Sequence, residues 1–348
     1  MTESPNRKFL SRTQRYLLCR PHGGLNDILC QIEKCWTYAS RTNRILIVDT
    51  RNSSLASNFS EFFELRRKSS RVVLDANQET LAFLNELTCF PVQLRGKLHI
   101  MDMALFRAPN FVLKSNPEVP LSFDFSKEYE HAVLVHERCG GGRLSFDVLE
   151  KIRISPALRP IILDRISHLH GKYCGVHVRN TDLKTDYKKF FGRILPEIQG
   201  KRLLVCSDDA AVIEYARSLG HSLEILTSSE IPDTRGRALH YFGDRKKNAV
   251  DAIVDLIALG KSEKLYFTNH TGGISSGFSR LAEHLYRNKY VIQNLLQIPV
   301  SGRRLTKWRI TLFRRQLKEC LQQALHKARY FQSRPANRSD YISTDASQ

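Results

Sequence analysis

No apolar run in these 348 residues approaches the ~18 needed to cross a bilayer, and the opening Met1-Thr-Glu-Ser-Pro-Asn-Arg-Lys8 lacks the apolar core of a secretory signal. A cytosolic chain is therefore expected. No C-x-x-C pair occurs among the eight cysteines. Cys19, Cys174 and Cys206 fall inside apolar strand patterns, where a thiol behaves as a small hydrophobe, so reduced core cysteines are expected rather than zinc sites or disulfides. No internal repeat of solenoid period and no long low-complexity tract is present. Acidic residues are in short supply, 35 against 54 Lys and Arg, which leaves a net charge of +19. That excess asks for an anionic partner, whether nucleic acid, membrane surface, acidic glycan or nucleotide. RNP, zinc-finger and helix-turn-helix signatures are all missing, so the charge alone does not argue for specific nucleic-acid binding.

What is present is a regular alternation of apolar strands and helices. The first half reads as strand Tyr16–Arg20, a glycine loop, helix Asn26–Thr42, strand Arg44–Asp49, a helix near Leu55–Leu65, strand Arg71–Leu74 and a helix near Gln78–Leu87. Such alternation predicts a parallel sheet with helices on its faces. From Phe90 to Phe125 four prolines make the pattern irregular, and His131–Glu137 then reads as a last strand before Cys139-Gly-Gly-Gly142. A boundary is expected between Arg143 and Pro160. This divides the chain into an N-terminal α/β domain at 15–150, a second at 151–300, an amphipathic helix at 301–332 and a loose tail at 333–348.

Chemistry concentrates in the second half. Cys174-Gly-Val-His-Val-Arg-Asn-Thr-Asp182 is an apolar strand ending in polar residues, and period-2 alternation places His177 and Arg179 on one face at its C-terminal end, where open α/β sheets bind ligands. An Arg fork beside a His suits a diphosphate; a surface ion pair is the plainer alternative. Leu203–Asp209 is a second strand ending in Asp208 and Asp209. The helix around Ala249–Leu259 carries Asp251 and Asp255 one turn apart, with Asp251 expected in solvent. Lys264–Thr268 then opens into a small-residue loop with Ser275, Ser276 and a helix start, an arrangement that favours phosphate.

These blocks, HVRNTD, SDD, the AxxDxxxL helix and SSGFSRLA, resemble the fucosyltransferase superfamily that uses GDP-fucose. The likeness is strongest to the α-1,6-fucosyltransferases, the rhizobial nodulation enzyme among them, and weaker to the protein O-fucosyltransferases. It runs in order over about residues 172–285. Pro21-His-Gly-Gly-Leu-Asn-Asp27 is similar to the family's GGxGN loop, although the glycine before Asn26 is missing, and Asn180 stands where the α-1,6 enzymes carry a second Arg. The resemblance implies a GT-B fold of two Rossmann-like domains facing across a cleft, with no cofactor. Golgi enzymes of this kind carry a membrane anchor, so its absence here implies a bacterial type. Gly23, Gly24, Asn26, His177, Arg179, Asp182, Asp208, Asp209, Asp255, Ser275 and Ser276 are implied for the nucleotide-sugar site, with Asp208, Asp209 and Asp255 for the nucleotide. For Asp182 and Asp209 a helix cap is the plainer role.

Glycosyl transfer from a nucleoside diphosphate needs charge stabilisation on the leaving group. No D-x-D is present to hold a metal, so Arg179, the serines and the helix start are the candidates for that task. Asp186 is the expected general base, with Asp27 as its competitor. The expected partners are GDP-fucose and a glycan or lipid-linked saccharide. Finally, nine basic residues in Arg303–Phe331 flank a helical stripe of Leu305, Trp308, Leu312, Leu317, Leu321 and Leu325. This is either a helix packed across the fold or one lying on an anionic membrane. Two rival functions stand beside this reading: a GT-B transferase for another nucleotide-sugar, and a non-catalytic basic protein binding nucleic acid or anionic membrane.

Overall fold

The computed structural model describes residues 10–298, apart from 108–109, 221–222, 232–233, 235, 237–238, 240–241 and 270–272. The basic segment Arg303–Phe331 and the tail lie outside the described residues.

In chain order the first part holds β1 (Arg15–Pro21), α1 (Leu25–Arg41), β2 (Arg44–Val48), β3 (Phe63–Leu65), β4 (Val72–Val73), α2 (Gln78–Asn85) and β5 (Cys89–Phe90). There follow β6 (Ala104–Arg107), β7 (Asn110–Leu113), β8 (Asn116–Pro120), β9 (Val133–Arg138), α3 (Ser145–Lys151), β10 (Ile152–Ile154) and α4 (Leu158–Ser167). The remainder is β11 (Cys174–Val178), α5 (Tyr187–Ile198), β12 (Arg202–Ser207), α6 (Ala210–Ser218), β13 (Glu224–Leu226), α7 (Arg245–Lys261), β14 (Lys264–Phe267), α8 (Gly277–Arg287) and α9 (Lys289–Leu296).

The first sheet runs β4-β2-β1-β9-β7-β6, with β5 on β9 and β8 on β7. Its β1, β2 and β9 are parallel and buried on both faces, as a run such as Tyr16-Leu-Leu-Cys19 requires. Alternation sorts that run: Leu17 and Cys19 enter one apolar core, Tyr16 and Leu18 the other. The second sheet, β13-β12-β11-β14, is entirely parallel. One core is continuous from Leu17 of β1 through α1 and α7 to Leu204 of β12. Both sheets belong to one compact unit ending at Gln297.

Two expectations are corrected. Leu55–Leu65 is not a helix: after a short 3-10 turn at Phe59–Glu61, β3 pairs antiparallel with β10, Phe63 opposite Ile154 and Leu65 opposite Ile152. The aromatic-rich run fits either period, and a β-branched partner nearly ninety residues away decides it. Nor is the first sheet purely parallel, because the proline-interrupted region supplies β6, β7 and β8 as antiparallel strands.

Each sheet reverses its strand order beside one strand. β1 has β2 on one side and β9 on the other, and β11 lies between β12 and β14. The carboxyl ends of these two strands are the topological switch points where open sheets place ligands.

Candidate active site

The glycine loop follows β1, and HVRNTD follows β11. Together they line a cavity of about 980 Å³, shared with the loop after β12, the inner face of α7 and the start of α8. That volume suits a nucleotide-sized ligand.

At the β1 end, Gly23 adopts φ +92°, and a Cβ there would fall 2.7 Å from Asp27 Oδ2, so only glycine fits the turn. The Gly24 N–H donates to Asp27 Oδ2 at 3.1 Å, closing the first turn of α1. Asn26 is buried, with Oδ1 accepting from Ser145 Oγ at 2.7 Å and Nδ2 lacking a partner. Gly277, at the start of α8, packs directly on it: a Cβ there would meet Asn26 Nδ2 at 2.7 Å. The glycine loop and the SSG segment are thus fitted to one another. Burial raises the Asp27 carboxyl, against the lowering pull of the Gly24 N–H, Arg179 and Arg280.

At the β11 end, His177 is buried, shares a hydrogen bond with Ser279 Oγ (2.8 Å) and lies against Phe278. Ser279 in turn meets Ser276 Oγ at 2.9 Å, and Ser276 caps α8 by accepting the Ser279 N–H. Arg179 faces the cavity with its guanidinium already paired: Nη2 to Asp182 Oδ1 at 2.7 Å and Nε to Asp208 Oδ2 at 3.0 Å. Asp208 also accepts the Asn180 N–H (2.7 Å) and the Thr181 hydroxyl (2.5 Å). It is the residue that shapes the HVRNTD turn.

The implied site residues are only partly brought together. Gly23, Gly24, Asn26, Asp27, His177, Arg179, Asp182, Asp208, Asp255, Ser275 and Ser276 all line the cavity. Asp209 and Asp186 are not among the lining residues. Asp209 caps α6 and accepts from Asn180 Nδ2 at 2.7 Å; Asp186, exposed, caps α5 by accepting the Lys189 N–H at 3.0 Å. Both do what short acidic side chains do at helix starts. Asp251 is not in solvent: it is 6 % exposed and paired with Arg165 (2.6 Å) and Lys247 (3.0 Å). Its partner on α4 is remote in sequence, hence invisible to helix periodicity. Asp255 accepts from Ser228 (2.5 Å) and Ser229 (3.0 Å), and burial pushes its carboxyl up to about 6.

Two contributors were missed. Arg280 lines the cavity and its Nε is buried without a hydrogen-bond partner; its place one turn into the SSGFSRLA helix was the available signal. His22 lines the cavity too, held by Glu137 at 2.9 Å and stacked on Phe111.

No family model matches the chain. Nodulation protein Z of Sinorhizobium fredii is 24% identical over 275 residues, spanning 71% of this chain and 84% of that protein. The crystal structure of the fucosyltransferase NodZ from Bradyrhizobium superposes with a TM-score of 0.54 at 19% identity, covering 78% of this chain and 93% of that one. A NodZ α-1,6-fucosyltransferase soaked with GDP-fucose gives 0.51 over 78% and 93%, also at 19% identity. The fold is that of the NodZ fucosyltransferases. The resemblance to the GDP-fucose-dependent superfamily, at its nodulation-type branch, is met in both sequence and fold. In this NodZ fold, the ends of β1 and β11 face one cavity, so the two motif groups that carry the resemblance are the groups the structure brings together.

Proposed function

We propose that the protein transfers L-fucose from GDP-fucose to a glycan or lipid-linked saccharide, with inversion and without a metal. The carrying observation is Arg179 at the end of β11, in one cavity with the first turn of α8 and the Asp27 carboxyl. In a GT-B reading, residues 15–150 supply the side that receives the acceptor, and residues 151–300 hold the donor.

The fucosyl carbon becomes cationic as its bond to the diphosphate breaks, so the leaving oxygens gain charge. Arg179, Arg280 and the α8 N-terminus are suited to receive that charge. Arg280, from the first turn of α8, supplies a second guanidinium to the cavity in this scheme. Asp182, on the surface side of Arg179, is the carboxylate that a bound diphosphate would displace. Asp27 is the general base in this scheme, in preference to Asp186, because it lies in the cavity and burial already biases its carboxyl toward holding a proton. Asp255, with Ser228 and Ser229, is the guanine-facing group. No described helix is long and apolar enough to cross a membrane; we place the enzyme in the cytoplasm, with peripheral contact to the membrane through its basic C-terminal segment.

Titration calorimetry with GDP, UDP, ADP and a DNA oligomer tests the reading. GDP should bind most tightly. Preference for UDP or ADP would reassign the donor, and heat from DNA alone would remove the enzyme.

A further inference from the structure

We propose that the cavity wall formed by His22, Phe111 and Phe106 is the seat of a saccharide acceptor; this deepens, and rests on, the fucosyltransferase reading of the Arg179 end. In the β6–β7 hairpin Phe106 pairs with Phe111, so both project from the same face, their ring centroids 5.1 Å apart. Phe111 continues into His22, stacked at 4.1 Å and 20°. The three rings make a continuous shelf along the cavity, and its outermost member, Phe106, is 53 % exposed. Apolar surface of this size, left wet inside a concave site, gains by being covered by a ligand with an apolar face.

The shelf has a polar end. His22 Nε2 and Glu137 Oε1 share a hydrogen bond at 2.9 Å. His22 Nδ1 makes no hydrogen bond among the described residues, although the ring is only 6 % exposed and borders the cavity. An apolar platform ending in one unpartnered ring nitrogen matches a pyranose, whose C–H face stacks on a ring while a rim hydroxyl, able to donate or accept, meets the nitrogen. His22, Gly23 and Gly24 run directly into Asp27, so a sugar held on this shelf lies beside the proposed base. Donor guanine is the competing occupant, since it too stacks on aromatic rings.

The test uses the full chain, first measuring GDP affinity with no sugar present. Failure there removes the donor reading and is seen before any saccharide is added. The GDP-loaded chain is then titrated by saturation-transfer NMR with methyl β-glycosides of glucose, galactose and N-acetylglucosamine, and with octyl β-glucoside. Tighter binding of the octyl compound would indicate a lipid-linked acceptor, and equal binding a free glycan. Phe106→Ala should raise the sugar's dissociation constant about tenfold, with Phe106→Trp restoring it and the thermal midpoint unmoved. The proposal is overturned if no glycoside binds the wild type, if Phe106→Ala binds sugar as the wild type does, or if that variant loses GDP instead.

Discussion

Arg179 holds two carboxylates in this structure, Asp182 and Asp208, so its fork is oriented before any donor arrives. Orientation of this kind is what a lysine ammonium cannot reproduce. Arg179→Lys should therefore lower kcat with GDP-fucose by roughly 10²–10³, while GDP affinity falls less; near wild-type turnover would leave Arg179 a structural ion pair. For Asp27, burial raises the carboxyl, so the ionised base forms only as pH climbs past that raised value. The wild-type rate should fall on the acid side, and Asp27→Asn should lose about 10²–10⁴ in rate along with that acid limb. A pH-rate profile that keeps its acid limb in the Asn variant would point to another base. These two residues were legible for different reasons. His177 and Arg179 stand two apart on a strand, and period two puts them on one face. Asp27 could be named only as a rival to Asp186, because a carboxylate at a helix start looks the same in sequence whether it faces a cavity or caps a helix.

Among the elements, α7 brings two buried carboxylates one turn apart into the cavity wall, and this has a measurable pH signature. Burial raises Asp255 most, Asp251 adds to the rise, and Ser228, Ser229 and Arg165 oppose it, leaving the group at about 6. The folded value thus lies above the ordinary unfolded value near 3.9. Stability tied to the proton is fully present below the unfolded value and is lost as pH rises through about 6. Asp255→Asn mimics the neutral group, so it should be more stable than wild type at pH 8, by about 3 kcal/mol at most, with the gain vanishing near pH 4 in urea titrations. The same variant should bind GDP more weakly at pH 8. Greater stability with unchanged GDP affinity would make Asp255 a packing residue. Element type was readable wherever apolar periodicity was strong, as in α1, β1, β11 and α7. It failed at Phe59–Leu65, where clustered aromatics fit either period, and at β6–β8, where prolines on short exposed strands hid a sheet. The Phe106–Phe111 pair was hidden with them, since cross-strand register is not visible before the hairpin is.

For the molecule as a whole, two expectations follow from charge. Leaving-group stabilisation by Arg179, Arg280 and a helix N-terminus needs no divalent ion, so activity should persist in excess EDTA; abolition with rescue by Mn²⁺ would overturn the metal-free scheme. The net charge of +19 also has a concentrated source in Arg303–Phe331, where nine basic residues accompany one apolar stripe with Trp308. On an anionic surface each Lys or Arg contributes about 1 kcal/mol, an attraction that salt screens. Such a segment would hold the enzyme beside a lipid-linked acceptor. Deleting the chain from Gly302 onward separates this from a helix that packs across the fold. The membrane role predicts a truncated protein that stays folded and binds GDP, yet no longer sediments with phosphatidylserine vesicles at low salt. A packing role predicts a truncated protein that aggregates or melts at a much lower temperature, because removing the stripe would uncover apolar surface on its partner. Failure of the intact protein to sediment with those vesicles would end the membrane proposal, whatever the truncation does.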